Sequence, residues 1–241
     1  MDKASDYKGL RGVSIQPMRR IVVLISGRGS NLLAILDAAR AQRWPDSVVA
    51  VIADRPGAAG LNIARSALQT HGFSIEAQMI DASRYSDRAA FEAVLTDRLA
   101  HLRADVIVLG GFMRILSDAF VAAHAGRLIN IHPSLLPAFP GLKTHARALA
   151  AGVRLHGATV HLVTTDLDQG PILAQAVLPV RDGDSESSLA QRVLNLEHQI
   201  LPRAVRWMAQ GRVQVMAGVA QIVGVEASER LLIEGWDDAK A

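Results

Sequence analysis

From Ile21 onward, short β-branched apolar runs alternate with longer segments that carry one apolar helical face, and this alternation constrains the fold most strongly. The run IVVLI at Ile21–Ile25 has the length and composition of a buried strand. The next segment places a set of apolar residues on one predicted helical face: Leu32, Leu33, Ile35, Leu36 and Ala39. The pattern repeats through VVAVIA, AGLNIARSALQTHG, IEAQMID, DRAAFEAVLTDRLAHL and DVIVLGG. It predicts an α/β fold with an open, mainly parallel twisted sheet and helices on both faces.

After Gly111 the pattern changes. A short helix (SDAFVAAH), a strand (RLINIH) and a further helix (KTHARALAAG) are followed by two β-rich runs, ATVHLVTT and PILAQAVLPV. Few residues separate these two runs, which favours an antiparallel pair over a helical crossover. The segment SSLAQRVLNLEHQILPRAVRWMAQG then predicts a long amphipathic helix. We therefore expect an antiparallel addition to the sheet in the C-terminal half.

Three regions are predicted along the chain. Residues 1–17 are polar without a sustained period and are expected to be a disordered extension. Residues 18–211 are expected to form the folded domain. Residues 212–241 form a tail with short apolar runs around RVQVM and RLLIEG, for which a hairpin is predicted.

Composition excludes several classes of protein. The 241 residues include no cysteine, so disulfides and cysteine-ligated zinc are excluded and a reducing cytoplasm is the expected location. No apolar run reaches the length of a membrane helix, and no signal-peptide core is present. The net charge is +3, the arginines are scattered, and aromatic residues make up 4% of the chain. We therefore expect no nucleic-acid partner, whereas an anionic small-molecule substrate is compatible with this charge.

The loop ISGRGSNL lies between the first predicted strand and helix. Gly27 and Gly29 permit a sharp turn, and Ser30 and Asn31 are residue types that cap helix N-termini. Free N–H groups at such a terminus suit a phosphate. The alternative is an ordinary strand-to-helix turn, because the loop matches neither G-x-G-x-x-G nor the Walker motif.

A second polar group follows the strand RLINIH. Asn130 and His132 are two residues apart on an extended segment and therefore point to the same side. Pro133 keeps His132 extended, and ligands of open α/β sheets bind at this carboxyl edge. A histidine whose hydrogen bonds are satisfied by nearby backbone is the alternative.

The loop TTDLDQGP, from Thr164 to Pro171, supplies two aspartates. We expect Asp166 to cap a turn. An aspartate paired with His132 would favour the protonated imidazole and fix its orientation, which suits a general acid near neutral pH. No metal is expected, because the histidines form no H-x-H or H-x-x-x-H cluster.

Four stretches in this order resemble the folate-dependent formyltransferase family: VVLISGRGSNL, GGFMRILS, LINIHPSLLPAFPG and HGATVHLVTTDLDQGPILAQ. The S-G-x-G-S-N loop narrows the resemblance toward the phosphoribosylglycinamide formyltransferases of purine (IMP) biosynthesis. The resemblance covers about residues 18–213 and implies a Rossmann-like formyltransferase fold. Lys143 stands where some members carry histidine.

The resemblance implies roles for individual residues. The catalytic set would be Asn130, His132 and Asp168. The substrate phosphate and ribose would be held by Gly29, Ser30, Asn31 and Glu197. The folate site would comprise Arg88, Met113, Arg114, Ile115, Leu116, Asn130, Thr164, Thr165, Asp166, Leu167 and Asp168. The implied co-substrate is 10-formyltetrahydrofolate, with no metal, no membrane partner, and a monomer or homodimer as the acting species.

Three alternatives are set against this interpretation. Formyltetrahydrofolate hydrolase shares the core but is expected to carry an additional N-terminal domain, which residues 1–17 are too short to form. Methionyl-tRNA formyltransferase would need a further C-terminal RNA-binding domain, longer than the tail. A non-catalytic phosphate- or nucleotide-binding module would use the glycine loop but leave Asn130, His132 and Asp168 without a role.

Overall fold

A computed structural model describes residues 19–44 and 48–234. The predicted extension 1–17 therefore lies outside the described residues. Ten strands are described: β1 (Ile21–Ile25), β2 (Val48–Ala53), β3 (Glu76–Met79), β4 (Val106–Leu109), β5 (Leu128–His132), β6 (Leu155–Leu162), β7 (Ile172–Pro179), β8 (Val213–Met216), β9 (Val219–Ile222) and β10 (Leu231–Ile233). Six α-helices are described: α1 (Ser30–Ala41), α2 (Gly60–His71), α3 (Arg88–His101), α4 (Asp118–Ala123), α5 (Thr144–Ala150) and α6 (Glu186–Ala209).

The main sheet has eight strands in the order β10-β7-β6-β5-β4-β1-β2-β3. Strands β1 to β5 are mutually parallel, and β6 runs antiparallel to both β5 and β7. The predicted α/β class, the mainly parallel sheet and the antiparallel addition in the C-terminal half are confirmed.

Both faces of the sheet are covered, which explains why β1 is apolar at every position. Val23 and Ile25 lie in the larger apolar layer, which packs against α1, α2 and α6. Val22 and Leu24 lie in the opposite layer with Phe91 of α3. All five β1 side chains are fully buried, and burying each is worth about 1.5–3 kcal/mol.

The apolar face of α1 is narrower than the sequence predicts. Leu32, Ile35, Leu36 and Ala39 are buried, but Leu33 is exposed. The spacing of three and four residues keeps the buried set on one side of the helix, and Leu33 lies one position, or about 100°, away from it.

The tail contains a hairpin and one strand of the main sheet. Strand β8 pairs with β9, so the RVQVM run forms the hairpin with residues 219–222. The RLLIEG run instead supplies β10, which adds to β7 in parallel. The Arg230 guanidinium fastens this strand by donating to the carbonyls of Ile172 and Leu173 at 2.9 and 3.0 Å.

Candidate active site

The side chains of Asn130 and His132 project from the same face of β5, as their spacing predicts. The antiparallel register places His161 of β6 opposite Asn130. Asp168, in the loop after β6, has a carboxylate oxygen 3.4 Å from His132 Nδ1. Its other carboxylate oxygen lies 3.8 Å from His161 Nε2. Asp168 therefore lies within ion-pairing distance of His132 and beside His161.

Asp168 also joins two loops. Its Oδ2 accepts the backbone N–H of Gly141 at 2.8 Å, which ties the loop after β6 to the proline-rich loop after β5. The Asp168 backbone has φ = 55°, in the left-handed region that few non-glycine residues adopt. A Cβ at the nearby Gly170 would lie 1.8 Å from the Leu162 carbonyl oxygen, so this turn requires glycine.

The His132 ring lies between two oxygen atoms of the protein. Nδ1 faces the Asp168 carboxylate, and Nε2 lies 3.0 Å from the carbonyl oxygen of Phe139. Nε2 carries a proton when it donates to the Phe139 carbonyl, and the imidazolium would in addition place a charged N–H beside the Asp168 carboxylate. His132 is buried, so water does not compete for either contact.

The Phe139 carbonyl is held in place by a polar network beneath the proline-rich loop. Ser134 Oγ donates to the Ala138 carbonyl at 2.6 Å. Thr159 Oγ1 donates to the Ser134 carbonyl and accepts the Leu136 N–H, at 2.7 and 3.0 Å. The prolines therefore stiffen a loop whose backbone is also hydrogen-bonded to β6.

His161 is a site residue that the sequence prediction missed. Its Nδ1 lies 2.9 Å from the Leu162 carbonyl, which places the proton on Nδ1 and leaves Nε2 as an acceptor. Nε2 then accepts from the Asn130 amide at 3.3 Å. Burial lowers the pKa of His161, which favours this neutral form. His161 therefore orients the Asn130 amide.

Two further histidines lie beside the trio. His145 Nδ1 is 3.2 Å from His156 Nε2. Burial and the neighbouring His145 and His132 lower the pKa of His156 to about 4. His156 is therefore neutral at physiological pH and does not compete with His132 for protonation.

The glycine loop differs in one detail from the prediction. The N-cap of α1 is Gly29, with φ = 78°, and Ser30 and Asn31 are the first helical residues rather than caps. The prediction that Ser30 and Asn31 cap the helix is wrong because glycine adopts this left-handed conformation without strain. Gly29 has no side chain with which to cap α1, and the N–H groups at such a helix start suit an anion.

Asn31 and Glu197 meet below this loop. Asn31 Nδ2 donates to Glu197 Oε2 at 3.1 Å, and both side chains are buried. Burial raises the pKa of Glu197 from 4.5 to about 7, although the Asn31 hydrogen bond opposes the shift. Half of the Glu197 side chains are then ionised near neutral pH. The Asn31–Glu197 hydrogen bond links α6 to the predicted phosphate loop.

The two loop glycines predict a pair of contrasting variants. A Cβ at Gly29 would lie 2.6 Å from the Gly60 Cα, whereas a Cβ at Gly27 would meet no atom within 4 Å. We expect Gly29→Ala to lower the melting temperature. Gly27→Ala should leave the melting temperature unchanged but raise the KM for a phosphorylated substrate several-fold, by keeping the phosphate from the backbone. Thermal unfolding and kinetics test this; a stable Gly29→Ala variant would contradict it.

The predicted folate residues occupy two segments and one helix end. Met113 and Ile115 are about 70% and 71% exposed, whereas Leu116 packs against the smaller apolar layer. Thr164 donates to the Asp166 carbonyl at 3.2 Å; Thr165, Asp166 and Leu167 are exposed.

The remaining predicted folate residues are arginines. Arg114 donates to Asp54 at 2.7 Å, and its guanidinium lies 5.4 Å from the Phe91 ring centroid. Arg88 is exposed at the start of α3, one helical turn before Phe91. Sequence reasoning missed the Asp54 contact.

Within residues 19–44 and 48–234, no group of three or more His, Asp or Glu side chains is arranged to hold a metal ion. No helix in those ranges is long and apolar enough to cross a membrane.

Comparison with known proteins places this geometry in a family. Residues 19–205 match the model of the formyl transferase family. The chain belongs to the formyl transferase family. It is 46% identical to the phosphoribosylglycinamide formyltransferase of Escherichia coli K12 over 216 residues, which is 90% of this chain and 97% of that protein. Membership identifies the chain as an enzyme, and the β5 and β6 segments that carry Asn130, His132 and His161 lie within the matched region.

Solved structures of formyl transferases agree with this placement. A glycinamide ribonucleotide transformylase from Symbiobacterium toebii has a TM-score of 0.79 and 45% identity, covering 85% of this chain and 94% of that chain. A formyltetrahydrofolate deformylase from Pseudomonas syringae has a TM-score of 0.70 and 31% identity, covering 85% of this chain and 66% of that chain. Solved structures with this fold therefore include both a transformylase and a deformylase.

Proposed function

We propose that this enzyme transfers the formyl group of 10-formyltetrahydrofolate to the amine of 5-phosphoribosylglycinamide, a step of purine biosynthesis. The observation that carries the proposal is the position of Asp168. Its carboxylate lies beside His132, faces the neutral His161 that orients Asn130, and holds Gly141 of the facing loop. The identity to phosphoribosylglycinamide formyltransferase over nearly the whole of both chains supports this choice of acceptor.

Asn130 and His132 match the charge changes that formyl transfer requires. When the amine attacks the formyl carbon, a C–N bond forms and negative charge develops on the formyl oxygen. The Asn130 amide and the His132 imidazolium stabilise this oxygen, and each such donor is worth about 3–4 kcal/mol of barrier. As the bond to the folate nitrogen breaks, His132 delivers a proton to that nitrogen. The acceptor amine releases one proton to solvent, and His132 regains a proton from solvent.

Asp168 and the Phe139 carbonyl keep His132 ready for this step. The Asp168 carboxylate oxygen and the Phe139 carbonyl oxygen stabilise the imidazolium and fix the plane of its ring. One of the two ring N–H groups must exchange its protein acceptor for substrate during catalysis. No nucleophilic side chain is needed, because the amine itself attacks the carbonyl.

The remaining site residues fit the two substrates. Met113 and Ile115 present apolar surface beside the polar edge, which suits the flat ring system of a folate. The loop after β6 contributes Thr164, Thr165, Asp166 and Leu167, and the Arg88 guanidinium suits the folate carboxylates. Gly29 and Ser30 offer backbone N–H groups to the phosphate, and Glu197, oriented by Asn31, would accept from ribose hydroxyls.

Hydrolysis of 10-formyltetrahydrofolate is the second candidate, because the deformylase shares the fold at 31% identity. The two functions differ in their need for the amine. We expect the deformylation of 10-formyltetrahydrofolate, monitored by its absorbance change, to depend on added phosphoribosylglycinamide. An equal rate without the amine would identify a hydrolase. Binding of the phosphorylated substrate without any turnover of the donor would identify a non-catalytic binding module.

A further inference from the structure

Asp54 is a buried carboxylate at the carboxyl end of β2, outside the catalytic trio. Its side chain is fully buried. Arg55 contacts its two oxygens through Nε and Nη2 at 3.1 and 3.2 Å. Arg114 donates to the Oδ2 oxygen through Nε at 2.7 Å. Burial alone would raise the pKa of Asp54, but hydrogen bonds from Arg55, Ser26 and Arg114 outweigh burial and lower it. Asp54 is therefore ionised at neutral pH.

Asp54 and Ser26 fasten the segment after β4 at three successive points. The Ser26 N–H donates to the Gly111 carbonyl at 3.2 Å. Ser26 Oγ accepts the Met113 N–H at 2.8 Å. Asp54 holds Arg114. The segment from Gly111 to Arg114 is thus pinned to the ends of β1 and β2.

This anchoring determines how apolar side chains are presented. Met113 and Ile115 flank Arg114 and are exposed although both side chains are apolar. A free segment of this composition would be expected to turn such side chains inward. The Asp54–Arg114 contact, with Arg114 lying over Phe91, opposes that movement.

We propose that Asp54 is a positioning residue for the formyl donor: it acts through Arg114 to hold residues 113–116 as one wall of the folate site. This inference rests on the proposed function. Stability alone does not explain the contact with Arg114, because Arg55 already pairs with both oxygens of the carboxylate. Replacing a buried ion pair with well-packed apolar residues is often neutral for stability, so the pair is weak evidence for a purely stabilising role.

Equilibrium binding tests this inference. For Asp54→Ala, calorimetry should show a dissociation constant for tetrahydrofolate raised about tenfold. The constant for phosphoribosylglycinamide should change less than about twofold. Asp54→Asn should fall between wild type and Asp54→Ala, because one amide oxygen can accept from one arginine. The matched control is Arg55→Ala, which removes the other partner of the same carboxylate and should leave tetrahydrofolate binding near wild type.

A second variant covers the case in which Asp54→Ala fails to fold. Arg114→Met keeps an unbranched side chain over Phe91 but removes the guanidinium, and Arg114 is partly exposed. Arg114→Met should weaken tetrahydrofolate binding to the same extent as Asp54→Ala. The double variant Asp54→Asn/Arg114→Met should bind tetrahydrofolate no more weakly than Arg114→Met alone. Three results would each overturn the inference. The variants could lose affinity equally for both ligands, the losses could add in the double variant, or tetrahydrofolate binding could be unchanged. A wild-type enzyme that binds both ligands but transfers no formyl group would instead contradict the proposed function.

Discussion

Asp168→Asn is expected to lower kcat for formyl transfer by about 10²–10³-fold while leaving the fold intact. The amide oxygen can still accept the Gly141 N–H, so the two loops stay joined. The negative charge beside His132 is lost, so the imidazolium that stabilises the formyl oxygen and protonates the departing nitrogen loses its ion-pair partner. Steady-state kinetics with both substrates saturating, together with thermal unfolding, measure the two effects separately.

Two comparisons sharpen this experiment. Asp182→Asn removes the same charge from an exposed surface pair with Arg154 and should leave kcat unchanged. The double variant His132→Asn/Asp168→Asn should be little worse than His132→Asn, because residues that act as a unit are not additive. A wild-type rate for Asp168→Asn would show that Asp168 serves only the turn.

Glu197→Gln is expected to remove a large pH dependence of stability. Burial raises the folded-state pKa of Glu197 to about 7, above its ordinary 4.5. Its contribution to the free energy of unfolding is therefore fully present below about pH 4.5 and is lost as pH rises through about 7. The shift corresponds to roughly 3 kcal/mol. We expect the variant to be more stable than wild type at pH 8.5 and similar near pH 4.5, as measured by denaturant unfolding.

The same substitution should alter substrate binding in the opposite sense. Because the ionised carboxylate is the better acceptor for ribose hydroxyls, the wild-type KM for phosphoribosylglycinamide should fall as pH rises through 7. In Glu197→Gln it should be higher and lack this dependence. Glu186→Gln, exposed at the start of the same helix, is the matched control and should keep the wild-type pH profile. An unchanged pH profile in Glu197→Gln would show that another group titrates.

Local patterns predicted the fold and part of the site. The apolar run at Ile21–Ile25 specified a strand buried on both faces, and the spacing of Asn130 and His132 placed both on one face of β5. The position of Asp168 beside His132 agrees with the predicted pairing, although its catalytic role remains a proposal. These features depend on periodicity within one element or on motifs that the family resemblance supplied.

Contacts across elements could not be read from periodicity. His161 faces Asn130 only because β5 and β6 pair in one register, and a shift of one residue would turn it to the other side of the sheet. Asp54 reaches Arg114 across 60 residues because β1 lies between β2 and β4 and their carboxyl ends meet at one edge. The left-handed conformation of Gly29 makes Ser30 the first residue of α1. The capping preferences of serine and asparagine did not predict this start.

The destination of the formyl carbon tests the central claim most directly. The measurement is carbon-13 NMR of a reaction with 10-formyltetrahydrofolate labelled at the formyl carbon, phosphoribosylglycinamide and the wild-type enzyme. We expect the label to appear in an amide bonded to the glycinamide nitrogen, with loss of this signal in His132→Asn at equal enzyme concentration. Label recovered as formate while the amine is present, or an undiminished transfer rate in His132→Asn, would contradict the account.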